Sequence, residues 1–226
     1  MLALKLGLSL VSTPIPGAWS PDDEASLVAW YKNQVGIELN GSDVESWADS
    51  SGNSNNMAQA TAEEQPAYSG GILTFVSAKL DHLQTTGQIL LTGDFTLGLK
   101  IYPSVSSAGT FLGDNTSGGE LFKYTSSTRV TVKIDASAAT ALDLDSGTFG
   151  DDYIVITRAD NVLTLWQNGV AQTGTTPTLA GTADIDAISV RRTDQDHFDG
   201  TIEEIQVYSS SSADLTANIN DRLSTL

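Results

Sequence analysis

Apolar residues recur at every second position through most of this chain. Phe95, Leu97, Leu99 and Ile101 alternate with Thr96, Gly98 and Lys100, as Val130, Val132 and Ile134 do with Thr131 and Lys133. A period of two sets one group of side chains on one face of an extended strand. Leu163 and Leu165 oppose Val162, Thr164 and Trp166 in the same way, and Asn168-Gly169 follows, the dipeptide of a two-residue type I′ hairpin. Residues 153–157 are apolar on both faces, which predicts a central strand. Further strands are expected at 27–31, in another short segment that Trp47 ends, and at 72–76, 80–83, 185–190 and 202–208. Asp49-Ser50-Ser51-Gly52-Asn53-Ser54-Asn55-Asn56 is a turn by composition. Many short strands with turn signals between them, and no longer repeat, predict a sandwich or barrel.

The two ends break the pattern differently. Ser20-Pro21 followed by Asp22, Asp23 and Glu24 predicts a short helical turn. At the other end Leu215, Ile219, Arg222, Leu223 and Leu226 share a helical face, predicting a helix over 212–226 capped by Ser211, with Asp214 three residues on. Such a helix is expected to pack across one end of the sandwich. At the start, Leu2, Leu4, Leu6, Leu8 and Leu10 alternate with Lys5, Gly7 and Ser9. A signal sequence needs a continuous apolar run, so these leucines read as a strand instead. That strand either adds an edge to its own sandwich or docks onto a sister subunit or larger assembly. The prolines of Ser12-Thr13-Pro14-Ile15-Pro16-Gly17 make an extended connector, and Trp19 within the linker reads as an interface anchor. The expected organisation is an arm and linker over 1–20 and a body over 21–226.

Composition narrows the function. The chain has 226 residues, only 17% of them charged, no cysteine, and a net charge of −17. So acidic a surface repels phosphate backbones and anionic lipid, which argues against nucleic-acid and membrane partners. Without cysteine there is no disulfide framework and no thiolate chemistry. The charge also raises calcium as a candidate ligand. Neither Asp49 nor Asp194 starts an EF-hand, because Ser54 and Asp199 stand where glycine is required. Asp49, Asn53 and Asp199 remain as candidates for an irregular calcium site, against a plainer role in Asx-turns.

Catalytic candidates thin out on inspection. Glu203 and Glu204 are adjacent, so regular alternation would send them to opposite faces, with Ile202, Glu204, Gln206 and Tyr208 sharing one. A glycosidase needs two carboxyl groups converging on one cleft. Glu204 is therefore expected to accept hydrogen bonds from a loop or to pair with an arginine. His82 and His197 are far apart in sequence, and no Gly-x-Ser-x-Gly elbow is present. Trp30, Tyr31, Trp47 and Trp166 could form a sugar-stacking platform, but beside Leu and Val they read as core. The sequence predicts no enzyme and no required cofactor.

Three segments carry a family resemblance. They are Trp47 to Asn55 with Gln65-Pro66-Ala67-Tyr68, then Phe75 to Leu83 with Asp81 and the following Phe95-Thr96-Leu97, and finally Phe198-Asp199-Gly200-Thr201-Ile202-Glu203-Glu204-Ile205-Gln206-Val207-Tyr208 with the helix behind it. In this order they resemble the concanavalin A-like, laminin-G-type jelly-roll modules of bacterial and bacteriophage proteins. The resemblance implies an all-β fold, two antiparallel sheets of six or seven strands packed face to face. It also suggests a non-enzymatic structural protein on the outer surface of a bacteriophage virion. Such a protein would be made in the host cytoplasm and joined to other virion proteins and to its own copies through Leu2, Leu4, Leu6, Leu8, Leu10 and Trp19. The alternative is a lectin-like module attaching to surface glycans. The chain lacks the dense Asp/Asn calcium cluster of the legume-lectin and pentraxin types, so lectin activity does not follow from fold.

Overall fold

In the computed structural model, which describes residues 19–116, 119–135 and 137–226, the alternating segments become antiparallel strands. In chain order the first are β1 (Leu27–Tyr31), β2 (Ile37–Asn40), β3 (Asp43–Trp47), β4 (Met57–Ala58), β5 (Ala67–Ser69) and β6 (Ile72–Phe75). Next come β7 (Leu83–Leu91), β8 (Phe95–Pro103), β9 (Gly109–Gly113), β10 (Leu121–Ser126), β11 (Arg129–Lys133) and β12 (Thr140–Asp143). The chain closes with β13 (Asp152–Ala159), β14 (Val162–Gln167), β15 (Val170–Ala171), β16 (Ala183–Ile188), β17 (Gly200–Tyr208) and the helix α1 (Ala213–Leu223). The arm leucines 2–10 and the connector lie outside the described residues.

Hydrogen bonding orders the strands into two layers. One runs β1-β17-β8-β13-β14-β15 and the other β4-β7-β16-β9-β10-β11-β12, with β3, β5 and β6 linking them at one edge. The inward sides of the alternation meet between the layers. Phe95, Leu97, Leu99, Ile154, Ile156, Ile205 and Val207 face Phe111, Phe122, Tyr124, Val130 and Val132, and all are buried. Phe95 and Phe122 stand edge to face across the gap, 6.0 Å apart. Each large apolar side chain buried this way contributes about 1.5–3 kcal/mol. The expected hairpin forms: Gln167 pairs with Val170, and Asn168 and Gly169 take φ of 51° and 78°.

Several local expectations are corrected. Residues 80–83 do not form a strand, because Ser77–Lys79 makes a 3₁₀ turn and Leu80 adopts φ 62°. The Asp81 carboxylate holds that turn by accepting from the Val76 amide at 2.9 Å. β16 stops at Ile188, since Ser189 at φ 75° turns away and donates to the Asp81 carbonyl. The helix is capped by Ser212, not Ser211, through the Leu215 amide at 3.1 Å. It packs on the outer face of the first layer, against Val155 of β13 and Tyr208 of β17, not across an end. Gly98 of β8 permits this approach, since a Cβ there would lie 2.4 Å from Ile219 Cγ2.

The outer face of the second layer gathers acids instead. Asp184 and Asp186 of β16, Asp114 after β9 and Glu120 before β10 lie in one another's electrostatic field. Asp186 accepts from Gln84 Nε2 at 3.0 Å and from the Asn115 amide at 2.6 Å. Glu120 Oε2 and Asp184 Oδ1 are buried with no donor among the described residues. Burial, more than the neighbouring acids, raises Glu120 and Asp186 and pushes Asp184 up to about 6.

Two measurements test this architecture. Gly98→Val should force the helix off the sheet and cost about 1–3 kcal/mol in urea unfolding; an unchanged midpoint would mean the helix does not depend on that close approach. The acid cluster sets a pH trend of known sign. Its carboxyls titrate higher folded than unfolded, so the folded protein binds more protons between about pH 4 and 6 and loses stability as pH rises through that window. Asp184→Asn should flatten that slope and raise the melting temperature at pH 7 by a few degrees. A steeper slope in the variant would refute the assignment.

Candidate functional site

A β-bulge in β17 decides which way its acids point. The pairing with β8 slips between Ile202 and Glu204, so one extra residue enters the strand. Ile202 therefore joins Ile205 and Val207 in the core, whereas Glu204, Gln206 and Tyr208 share the outer face. The expected grouping of Ile202 with Glu204 is thus wrong, and so is the separation of the two acids. Asn33 binds both, its Nδ2 donating to Glu203 at 3.2 Å and its amide to Glu204 at 3.1 Å. Glu204 is 0% exposed and fully committed. It also accepts from Trp30 Nε1 at 3.0 Å, Gln206 Nε2 at 2.8 Å, and Arg222 through Nε at 2.5 Å and Nη2 at 2.7 Å. Tyr208 donates to Gln206 Oε1 at 2.8 Å, and burial, with the Glu204 charge, pushes its phenol far above its ordinary range. This network fastens α1 to the sheet.

Beside that helix lies a cleft of about 310 Å³. Its sheet wall is Tyr153 of β13 and Trp166 of β14, both half-buried on the outer face. Trp166 pairs across from Val155, so Tyr153 is its diagonal neighbour. The helix wall is the stripe Ala213, Thr216, Ala217, Asn220 and Ser224, spaced three or four apart. Two alanines leave room that larger side chains would fill. Thr216 spends its hydroxyl on the Ser212 carbonyl, and Asn220 its amide hydrogen on the Thr216 carbonyl at 2.9 Å. Asn220 is 8% exposed, and among the described residues its buried Oδ1 has no donor and the buried Trp166 Nε1 no acceptor. Asn220 and Trp166, each with one buried polar atom unmet, are thus two of the residues that line the cleft. An aromatic wall beside them suits the apolar face of a small ring.

The other sequence candidates scatter. Asp49 accepts from the amides of Trp30, Ser51 and Asn55 at 2.8–3.0 Å, while Asn53 donates to the Leu27 and Val28 carbonyls at 3.0 Å. Asp199, in a separate turn before β17, binds the Ser77 amide at 3.0 Å and also its hydroxyl. All three tie loops, and among the described residues no three His, Cys, Asp or Glu side chains are arranged to hold a metal ion. Trp30, Tyr31 and Trp47 are core, as expected, but Trp166 is not. Trp19 packs half-buried beside Leu27, its Nε1 on Glu24 at 3.1 Å. His82 and His197, remote in sequence, stand edge to face with ring centres 5.7 Å apart, and burial lowers the His197 pKa. Sequence reading missed Tyr153 and Asn220. The one available signal was the Ala213/Ala217 stripe, whose meaning depends on where the helix docks.

Comparison with known proteins agrees with this architecture. Domain 4 of AbnA, an extracellular GH43 arabinanase from Geobacillus stearothermophilus in complex with arabinotriose, superposes with a TM-score of 0.58 at 14% identity, covering 87% of this chain and 97% of that one. A Trypanosoma rangeli sialidase in complex with the inhibitor DANA gives 0.57 at 14% identity, covering 88% of this chain. This chain spans only 33% of the sialidase. At such identities the likeness is one of fold. No curated protein sequence matches the chain. A family profile does, over residues 77–214, which run from the turn before β7 through the closing strand into α1. Together with the two-layered sandwich this match shows that the chain belongs to the concanavalin A-like lectin/glucanases superfamily.

Proposed function

We propose that this protein is a non-catalytic carbohydrate-binding module whose sugar lies in the cleft between α1 and the Tyr153–Trp166 wall. The observation that carries the reading is a cleft of ligand size walled by the half-buried Tyr153 and Trp166 rings, where Asn220 Oδ1 and Trp166 Nε1 are buried and, among the described residues, unpartnered. The chemistry of the cleft favours binding over hydrolysis. Glycosidases use two carboxyl groups about 5–9.5 Å apart, and among the described residues Asp221 is the one carboxylate lining this cleft. Glu204, with five N–H donors around it, has no lone pair to spare for a substrate proton. The similar size of the arabinanase domain, solved with arabinotriose, makes neutral pentose and hexose oligosaccharides the first ligands to try.

A calorimetric titration with arabinotriose and a glycan array would test this directly. Trp166→Ala should weaken saccharide binding about tenfold or more, equivalent to roughly 1.4 kcal/mol, while leaving the circular dichroism spectrum unchanged. Wild-type protein that binds no glycan, or a Trp166→Ala variant that binds equally well, would rule the reading out.

Display on a virion is a second, compatible proposal, and it rests on the alternation of Leu2, Leu4, Leu6, Leu8 and Leu10. A strand with a leucine face needs a partner to cover it, which another virion protein or a sister copy would supply. Deleting residues 1–12 should leave a folded body that no longer enters particles. Normal incorporation of the truncated protein would count against the arm.

A further inference from the structure

On the opposite flank of α1 lies a second cleft of about 350 Å³, lined by Trp19, Asn218, Asp221, Arg222 and Thr225. Asp221 lines both clefts, so the two meet across the last turns of the helix. Each cleft is lined by a half-buried tryptophan, Trp19 in one and Trp166 in the other. The floor of the second is unusually well positioned. Glu204 grips Arg222 through Nε and Nη2, and the guanidinium lies 5.0 Å from the Trp30 ring centre. Its Nη1 has no protein partner among the described residues. An arginine held this way offers its remaining N–H groups at a fixed place and pays little rotamer entropy on binding.

We infer that the two clefts form one track for a neutral oligosaccharide, with Trp19 as a second stacking platform and Arg222 as a donor to ring or hydroxyl oxygens. The inference rests on the carbohydrate reading above and adds to it the length and charge of the ligand. A helix with its side chains is roughly 10 Å across, so a single sugar occupies one cleft and only a chain reaches both. The ligand is neutral because Glu204 already balances the guanidinium, and Asp221 at the junction repels an acidic sugar. Asp221 is exposed and accepts hydroxyl donors from either side. Glu204 acts here as a positioning residue: it touches no ligand but fixes the group that does.

The test is chain-length dependence. In NMR titrations, wild-type protein should bind a neutral arabino-tetrasaccharide about tenfold tighter than the monosaccharide, the gain of roughly one extra subsite. Trp19→Ala and, as a surface change that leaves the fold alone, Asn218→Ala should each lose most of that gain while keeping the monosaccharide affinity. Trp166→Ala should weaken both ligands together. The aldonic acid made by oxidising the reducing end of the same tetrasaccharide should bind more weakly than the neutral sugar. If the two variants keep the full chain-length gain, the track is wrong and the single-cleft reading stands. If wild-type protein binds neither saccharide, the carbohydrate reading itself falls, and the track with it.

Discussion

Taking a carboxylate out of water costs several kcal/mol unless the protein supplies donors in water's place, and Glu204 sits where no water reaches. The donors come from three separate parts of the chain. β1 supplies Trp30, the following turn supplies the Asn33 amide, and α1 supplies Arg222. Each of these must be in place for the charge to be tolerated, so one buried acid ties the first strand, the closing strand and the terminal helix together. The two clefts exist because of this fastening. Leu215, Ile219 and Leu223 pack against Val155 and Tyr208, the helix lies flat, and its small-residue flank is left facing the aromatic pair.

The two layers treat charge in contrasting ways. In the first, buried ions are fully met. Besides Glu204, Arg158 lies buried with its guanidinium donating to the carbonyls of Gly93, Gly181 and Leu91 and stacked over Phe95 at 4.7 Å. On the outer face of the second, Asp184 and Glu120 keep oxygens without donors among the described residues, and their carboxyls rise in pKa. The same chemistry, a carboxylate away from water, is thus met once by pairing and once by a raised pKa. Only the first solution builds a rigid floor under a cleft.

How far the sequence could be read varied with the range of the forces involved. The Asn168-Gly169 hairpin, the central position of β13 and the inward sides of β8 and β11 follow from backbone geometry and period-two burial, which act within a few residues. The faces of β17 did not, because a bulge is a single inserted residue that leaves no mark in the alternation until the partner strand is known. Trp166 looked like core beside its apolar neighbours, and by alternation it is on the outer face. Whether that face is solvent, helix or cleft is a question about α1, some fifty residues away.

The sequence by itself determined the class of fold and the need for a covering element: alternation demands two buried faces, and the Leu215/Ile219/Leu223 stripe demands an apolar surface to rest on. It also determined the strongly acidic character, since the formal net charge of −17 is a sum over the sequence. Tertiary structure alone decided that Glu203 and Glu204 both meet Asn33, that Glu204 holds Arg222, and that Trp166 and Asn220 line one cleft. Those outcomes hinge on register, a bulge and a glycine that admits Ile219, and each is set by what a distant segment packs against.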